Sequence, residues 1–302
     1  MSYLTGTATD YADLLNQLDT FLTGTAGWTS KRRVSGSEMI WSAPGSGSDS
    51  ILVGAKTFTD PVGAYWNWRL GGFTAFNAAL PFNQQAGYVG GPSQANPSPV
   101  LNLWNSSIVF WFVANARRVI VVAKISTSYM VAYLGWLTPY VYPSAMPYPI
   151  VVGGSMAWST EPAANSPNWG WNYVGNELSN FWKPLNASTV SYDYQSQLRL
   201  RVPAGTWRGI STNYNDPNFG NVWPWADPPQ NMRENLDGSY TLIPAILHDP
   251  SPNIYGELDG VYFVTGWNQA AENTVTISSV AHLVVPNVTR SGIGDFAVIK
   301  LN

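Results

Sequence analysis

The sequence predicts a mainly β protein: a single β-rich domain, sandwich-like or a meander, with long aromatic loops and one N-terminal amphipathic helix. Three observations predict this class. Short apolar runs rich in β-branched and aromatic residues recur along the chain, only one segment has the period of a helix, and stretches dense in Asn, Pro, Gly and Trp separate the runs. No hydrophilic linker divides the 302 residues. We therefore expect an N-terminal helical segment over 1–30 and a β-rich domain over 31–302, with an alternative division of the β-rich part near residue 155.

The helix is predicted between Asp10 and Leu22, where the apolar side chains fall on one helical face. These side chains are Tyr11, Leu14, Leu15, Leu18 and Leu22. Thr9 is placed to cap the N-terminus of the helix, and Gly24 with Gly27 can end it in a left-handed turn.

A period of two follows the helix. Trp66, Trp68 and Leu70 alternate with polar residues and are expected on one side of a strand. The unbroken apolar runs 108–113 and 118–124 predict a hairpin with a tight turn, and because both runs are apolar on both faces, this hairpin is expected in the middle of the fold. Further strands are predicted over 38–41, 51–56, 197–202, 240–243, 260–265, 275–285 and 296–301, with turn signals at Asp237-Gly238 and Asp259-Gly260.

Two stretches are predicted as loops. Residues 134–154 contain four prolines, which block regular backbone hydrogen bonding, together with aromatic side chains that need cover. An extended loop that packs on the fold is expected there. Residues 159–229 are dense in Asn, Pro, Gly and Trp, which predicts long loops over a scaffold of strands.

The composition is unusual in its aromatic and charged residues. The chain has 15 tryptophans, no cysteine and only 11% charged residues, whereas an ordinary soluble domain has about 25% charged residues. Few charges together with many amphipathic rings predict that much of the surface meets other chains. The lack of cysteine removes disulfides, thiolate metal sites and cysteine nucleophiles.

Charge and hydropathy patterns narrow the range of partners. The net charge of −3 gives no field that would attract nucleic acid, so no nucleic-acid partner is expected. The short basic spots, among them Arg117-Arg118 and Arg199, are expected to be solvated faces. The longest apolar stretch, 108–125, is interrupted by Asn115 and two arginines, so no membrane span is expected. The first ten residues lack a secretory signal pattern, which predicts synthesis in the cytoplasm.

The sequence carries no enzyme signature. Its two histidines are His248 and His282, and no Gly-x-Ser-x-Gly elbow is present, so neither a catalytic base nor a metal site is predicted. A glycan hydrolase would need two carboxylates about 5 to 9.5 Å apart, and no spacing in the sequence selects such a pair. The carboxylates that lie among aromatic residues are Glu161, Glu177, Asp216, Asp227, Glu257 and Asp259. We expect no enzyme activity, no metal and no cofactor.

A series of short blocks fills much of residues 10–154. The blocks are 10–24, Gly27-Trp28, 41–45, 51–54, Tyr65-Trp-Asn-Trp-Arg-Leu-Gly-Gly-Phe73, 103–105, 110–124, 132–135 and 147–154. In this order they resemble a widespread group of tailed-bacteriophage virion structural proteins. The resemblance implies a virion component, made in the cytoplasm of the bacterial host, whose partners are other virion proteins and copies of itself. It leaves open a place in the tail tip, baseplate, collar or head.

Three functions are weighed against these observations. The first is a non-enzymatic structural subunit of a tailed-phage virion, present in several copies in the tail, tail tip or baseplate, with loops 136–175 and 205–230 as contact surface. The alternative is a glycan-binding adhesion module whose rings stack on host-surface sugar, and a glycan hydrolase is a third. The predicted binding residues, for subunits or for glycan, are Trp136, Tyr140, Tyr142, Trp169, Trp171, Tyr173, Trp207, Trp223 and Trp225.

Overall fold

A computed structural model of the chain describes residues 1–45, 50–60, 65–90, 98–158, 179–183, 198–210, 221–225, 232–249 and 253–302. These residues are mainly β, which confirms the predicted class. They include one α-helix, α1 (Tyr11–Gly24), and two short 3₁₀ helices, Phe82–Gln84 and Pro143–Ala145. No helix within these ranges is long and apolar enough to cross a membrane.

Within the same ranges, twenty strands make up the rest of the regular structure. In chain order they are β1 (Ser2–Ala8), β2 (Thr29–Val34), β3 (Glu38–Ala43), β4 (Ile51–Asp60), β5 (Tyr65–Phe73), β6 (Ser98–Leu101), β7 (Ile108–Ala114), β8 (Arg118–Ile125), β9 (Ser128–Trp136), β10 (Thr138–Pro139), β11 (Ile150–Gly153), β12 (Met156–Trp158), β13 (Leu198–Arg201), β14 (Trp207–Ile210), β15 (Asn221–Trp223), β16 (Ile243–His248), β17 (Ile254–Phe263), β18 (Thr274–Ile277), β19 (Val280–Pro286) and β20 (Phe296–Lys300).

The strands form three sheets. The central sheet has the order β1-β7-β8-β9-β11-β13-β14, and the second sheet has the order β12-β6-β5-β4-β3-β2. The third sheet has the order β15-β16-β17-β20-β19-β18, and β10 also pairs with β17. The hairpin β7–β8 and the next pair, β8–β9, are antiparallel.

The central sheet is covered on both faces. On β7, Phe110 and Phe112 lie in a core shared with α1 and the second sheet, whereas Trp111 and Val113 lie in a core shared with the third sheet. This division follows from the alternation of side chains along a strand. The prediction that the hairpin 108–124 lies in the middle of the fold is confirmed, because each of its strands has a neighbour on both sides and a core on both faces.

Helix α1 packs on β1 and β7 and buries its leucines in the first of these cores. Its N-cap is Asp10, whose carboxylate accepts hydrogen bonds from the backbone N–H groups of Ala12 and Asp13, both at 2.8 Å. The prediction of Thr9 as the cap is wrong by one residue. The extended backbone of Asp10 aims its own side chain at the first turn, and the Thr9 N–H donates to Asp13 Oδ2 at 2.8 Å.

The structure adds strands that the apolar pattern does not predict. Strand β1 precedes the helix, and its large apolar side chains, Tyr3 and Leu4, are followed by small or polar residues and form no apolar run. Strand β11 lies within 134–154, which was predicted as a loop. The last of the four prolines there is Pro149, so the residues after it are free to pair with β9 and β13.

Three strand boundaries also differ from the prediction. The single strand predicted over 275–285 is two strands, β18 and β19, because Ser278 and Ser279 adopt positive φ values of 50° and 65° and reverse the chain. The strand predicted over 240–243 begins only at its last residue, as β16. Gly260 lies inside β17 rather than in a turn before a strand.

Seven of the tryptophans whose side chains are described belong to the core. Trp41 Nε1 donates to Asp19 Oδ1 of α1 at 2.8 Å, and Trp68 Nε1 donates to the Tyr11 carbonyl at the start of the same helix, also at 2.8 Å. These rings fasten the second sheet to the helix. The prediction that the aromatic residues form a contact surface is therefore wrong for the buried tryptophans, which stabilise the chain itself. Among the described side chains these are Trp28, Trp41, Trp68, Trp111, Trp136, Trp182 and Trp225.

Two arginines predicted on solvated faces are buried. Arg118 has no exposed surface, its Nε lies 3.3 Å from Asp259 Oδ2, and its Nη1 donates to the Val113 carbonyl at 3.2 Å. Gly260 makes room for this guanidinium: it has a φ of 76°, and a Cβ there would lie 2.3 Å from Arg118 Nη2. Arg199 is 3% exposed, and burial lowers its pKa to about 10. Both arginines lie in strands whose neighbouring residues are buried, so their guanidinium groups are buried with them.

Candidate functional site

Five of the nine predicted binding residues contribute no exposed ring to the described structure. Trp169, Trp171 and Tyr173 lie outside the described residues. Trp136 packs in the core between the central and second sheets, and Trp225 packs in the core between the central and third sheets. The structure corrects the prediction for these two, which are 5% and 2% exposed. Their rings are enclosed by their own chain and present no face to a partner.

The other four predicted residues reach the surface to different extents. Trp207 is half-buried, and its Nε1 donates to the Gly87 carbonyl at 3.0 Å, so this ring fastens the edge of the central sheet to a loop of the second. Tyr140, Tyr142 and Trp223 are exposed by 51%, 84% and 39%. These three rings are available to a partner.

Two of these rings, Tyr140 and Trp223, lie on the outer side of the third sheet. We call the outer aromatic surface the exposed side chains Tyr140, Trp223 and Ile254, of which Trp223 has the smallest exposed fraction, 39%. Ile254 was not among the predicted binding residues. A single aliphatic residue beside a strand end carries no periodic signal that separates an exposed position from a buried one.

The register of the third sheet brings these side chains together. Trp223 pairs with Ile246, and Ile246 pairs with Glu257, so the three side chains lie on one face. This face points away from the central sheet, because the alternate residues of the same strands lie in the core. Strand β10 pairs with β17 and leads into Tyr140, whose N–H donates to the Tyr255 carbonyl at 3.0 Å.

A carboxylate lies among these rings. Tyr140 Oη donates to Glu257 Oε2 at 2.8 Å. Burial and this hydrogen bond raise the pKa of Tyr140 to about 12, so the phenol is neutral at physiological pH and remains a donor. The surface therefore combines ring faces and aliphatic side chains with a fixed polar group, which is the composition of many protein interfaces.

An open cleft of about 340 Å³ lies at the Trp223 end of the outer aromatic surface. Ligand pockets in proteins measure about 300 to 1,000 Å³, so this cleft is at the small end of that range. It has the volume for one small ring or one inserted side chain. The residues that line it are Trp223, Ile246, His248, Asp249 and Ile254.

Asp249 forms the polar wall of the cleft and joins two sheets. Its Oδ2 accepts hydrogen bonds from Arg208 Nη1 and Tyr255 Oη, both at 3.0 Å. Asn253 adds its side-chain amide at 3.1 Å and its backbone N–H, which donates to Oδ1 at 3.2 Å. Arg208 comes from β14 of the central sheet, so this carboxylate fastens the central sheet to the third. Both oxygens of the Asp249 carboxylate accept hydrogen bonds from the chain itself, and this network fixes the shape of the cleft.

The Asp249 network predicts a specific dependence of stability on pH. Burial alone would raise the pKa of Asp249, but hydrogen bonds from Asn253 and Tyr255 and the charge of Arg208 outweigh it and lower the pKa below 3.8. The stabilisation is thus complete above pH 3.8 and is lost as the pH falls through the lower pKa of the folded state.

We expect Asp249→Asn to lower the free energy of unfolding at pH 7 by about 1–2 kcal/mol. We also expect the free energy of unfolding of the variant to fall less than that of the wild type between pH 7 and pH 3. Urea unfolding of both proteins at pH 7 and at pH 3 measures this. The same loss between the two pH values in wild type and variant would contradict the assignment.

The carboxylates described at the site are engaged within the chain. Within the described ranges no three His, Asp or Glu side chains are placed to hold a metal ion. Of the carboxylates considered for a glycan hydrolase, Glu257 accepts from Tyr140 and Asp259 pairs with Arg118. The others, Glu161, Glu177, Asp216 and Asp227, lie outside the described residues. No protein-family model matches the chain, and no curated protein matches it.

Proposed function

We propose that this chain is a non-enzymatic structural subunit of a tailed-phage virion, a multi-copy component of the tail, tail tip or baseplate. The proposal further holds that it binds neighbouring virion proteins through the outer aromatic surface. The observation that carries the binding role is that surface, where the sheet register and the Tyr140–Glu257 hydrogen bond place two exposed rings beside aliphatic side chains. The assignment to a phage particle rests on the resemblance of residues 10–154 to virion structural proteins.

Exposed apolar side chains gathered in one place need a partner more than scattered ones do. Single hydrophobic residues on a surface are ordinary, whereas contiguous ones mark interaction sites. Tyrosine and tryptophan are enriched among the residues that dominate binding energy, and each can be worth about 2 kcal/mol or more when water is fully excluded. The low charged fraction of 11% leaves few groups to oppose close contact between subunits.

The scaffold under the outer aromatic surface supports a structural role. The inner faces of β15, β16 and β17 lie in the core with the central sheet, and Asp249 adds a polar link to the same sheet. A surface held in this way has little freedom to lose on binding, so more of the contact energy appears as affinity.

Purified particles test the virion assignment. In a phage that encodes this chain, mass spectrometry of gradient-purified particles is expected to find the protein in several copies per particle, and antibody labelling is expected to mark the tail or its end. Presence of the protein in the lysate but not in the particles would overturn the proposal.

Trp223→Ala tests the outer aromatic surface itself. We expect incorporation of the chain into particles to fall by about tenfold or more, the effect of removing a central aromatic contact. Trp267→Ala is the matched control, because Trp267 is 41% exposed and lies outside this surface, in contact with Arg233. Quantitative mass spectrometry measures both variants, and far-ultraviolet circular dichroism checks that each is folded. Equal incorporation of the two variants would show that the surface is not a contact.

Glycan binding is the second candidate, and the cleft beside Trp223 favours it. An exposed indole next to polar side chains is an arrangement that can stack on a sugar ring. Titration calorimetry with fragments of host-surface polysaccharide tests this. Saturable binding by wild type that Trp223→Ala removes would support adhesion, and absence of heat at millimolar fragment would leave subunit contact as the role of this surface.

A further inference from the structure

We propose that strand β1 pairs with β1 of a second copy of the chain, so that two central sheets join into one continuous sheet about a two-fold axis at Leu4. The inference deepens the proposed function by naming a second copy as one partner, and it rests on that function for its biological role. The proposed contact differs from the outer aromatic surface, because it is made by backbone hydrogen bonds at a sheet edge rather than by side chains.

Strand β1 is an open edge of the central sheet. It pairs with β7 on one side, and no strand in the described ranges pairs with it on the other. Its seven residues, Ser-Tyr-Leu-Thr-Gly-Thr-Ala, include no charge and no proline, and its register with β7 has no shift. An edge of this kind is a template for another strand, and soluble proteins commonly protect such edges.

The other sheet edges carry the protection that β1 lacks. Strand β2 has Lys31, Arg32 and Arg33 in six residues, and its register shifts between Ser30 and Arg32. The remaining edge strands, β12, β14, β15 and β18, have only three or four residues each. Among the described edges, β1 combines length, neutrality and regularity.

The hydrogen bonds around β1 show which backbone groups face outward. The Thr7 carbonyl accepts from Gln17 Nε2 at 3.3 Å, and the Thr9 N–H donates to Asp13 Oδ2, so neither group is used in the ladder with β7. Backbone groups alternate in direction along a strand. Tyr3 and Thr5 therefore also direct their N–H and C=O groups to the open edge, while Leu4 faces β7.

This pattern is complementary to itself. When two copies of β1 run antiparallel about an axis at Leu4, Tyr3 of each copy lies opposite Thr5 of the other, and the outward groups form about four backbone hydrogen bonds. The two Leu4 residues then form the close, non-hydrogen-bonded pair, with Cα atoms about 4.5 Å apart. No charged group enters the contact, and the same patch serves both copies, as a two-fold interface requires.

The side chains on β1 also suit the contact. Tyr3 is 40% exposed and Leu4 is 41% exposed, so both have apolar area to bury against a second copy. Gly6 keeps the strand close to the sheet, because a Cβ there would lie 2.9 Å from the ring of Phe110.

Leu4→Cys tests the axis directly, since the chain contains no cysteine of its own. The predicted separation of the two Cα atoms falls within the range that a disulfide spans, about 4.4 to 6.8 Å. Under mild oxidation, Leu4→Cys is expected to form a covalent dimer at least about tenfold faster than Leu236→Cys, whose side chain is fully exposed on a turn. Non-reducing electrophoresis measures both rates, and equal rates would overturn the inference.

A charge at the axis gives the second measurement. Leu4→Lys puts two like charges directly opposite each other and is expected to raise the dissociation constant of the dimer more than about tenfold, while Leu236→Lys leaves it unchanged. Sedimentation velocity from micromolar to hundreds of micromolar protein measures this, and a wild-type chain that stays monomeric throughout would overturn the inference. The two proposals fail separately: a chain found in particles but without the β1 dimer keeps the virion role and loses this contact, and a β1 dimer in a chain missing from particles does the reverse.

Discussion

Asp259→Ala is expected to lower the free energy of unfolding by about 3 kcal/mol, because it leaves the buried Arg118 guanidinium without a counter-charge. Arg118 is fully buried, and its Nε lies 3.3 Å from Asp259 Oδ2. Removing one partner of a buried pair costs about 3–5 kcal/mol. We expect the lower end of that range, since the Asp259 side chain keeps 28% exposure. The midpoint of urea unfolding at neutral pH measures the change.

Asp295→Ala is the matched control for this substitution. Asp295 pairs with Lys183 at 2.7 Å, but the Lys183 side chain is 29% exposed and can be hydrated when its partner is removed. Its loss is expected to cost about 1 kcal/mol or less. Equal losses for the two aspartates would contradict the assignment of Arg118 as a buried charge that depends on Asp259.

A second substitution separates the charge from the packing. In the Asp259→Ala background, Arg118→Met replaces the stranded guanidinium with an apolar chain of comparable length, and buried ion pairs can be replaced by apolar residues at little cost. We expect the double variant to recover most of the stability lost in Asp259→Ala. Further destabilisation by Arg118→Met would show that the packing of the Arg118 side chain, rather than its charge, accounts for the effect.

The Arg118 site shows where sequence patterns stop being informative. Two adjacent arginines after Asn115 have the look of an exposed turn, and a local pattern cannot show that Gly260, far along the chain, leaves space for one guanidinium. The partner Asp259 was considered as part of the turn signal Asp259-Gly260 and as one of the carboxylates that lie among aromatic residues. The pairing depends on the packing of the third sheet against the hairpin, which is a long-range contact that no local spacing encodes.

The hairpin 108–124 and helix α1 could be predicted because their signals are local. Unbroken β-branched and aromatic runs are apolar on both faces only if both faces are buried, and the structure places a core on each side of β7 and β8. The helix periodicity likewise needed only its own residues. Strand β1 could not be found in this way, because most of its residues are small or polar, it has no apolar run, and it is held by pairing with β7.

The candidate site was predictable in part for the same reason. Tyr140, Tyr142 and Trp223 were identified as aromatic residues in proline-rich loops, and the structure shows all three exposed. Trp136 and Trp225 have the same local composition, yet they are buried. Local composition gives the residue type, whereas the side of the sheet to which a ring points is set by register with strands that are distant in sequence.

Trp41→Phe is the second large expected effect, and it tests the role assigned to the buried tryptophans. The Trp41 indole donates to the Asp19 carboxylate, and both residues are buried, at 0% and 4% exposure. Loss of a hydrogen bond to a charged group costs about 1.5–3 kcal/mol, and the smaller ring leaves a cavity that adds about 1 kcal/mol. We expect a loss of about 3 kcal/mol in the free energy of unfolding, while the slope of this free energy against denaturant concentration stays unchanged.

Trp182→Phe is the control that isolates the indole N–H of Trp41. Trp182 is equally buried, but its Nε1 has no hydrogen-bond partner among the described residues. Phenylalanine at this position removes similar volume and also removes an unsatisfied donor, so a loss of about 1 kcal/mol or less is expected. The difference of about 2 kcal/mol between the two variants then measures the bond to Asp19. Equal losses would mean that Trp41 contributes through the size of its ring alone. The hydrogen bond between Trp41 and Asp19 would then not contribute to holding the second sheet on α1.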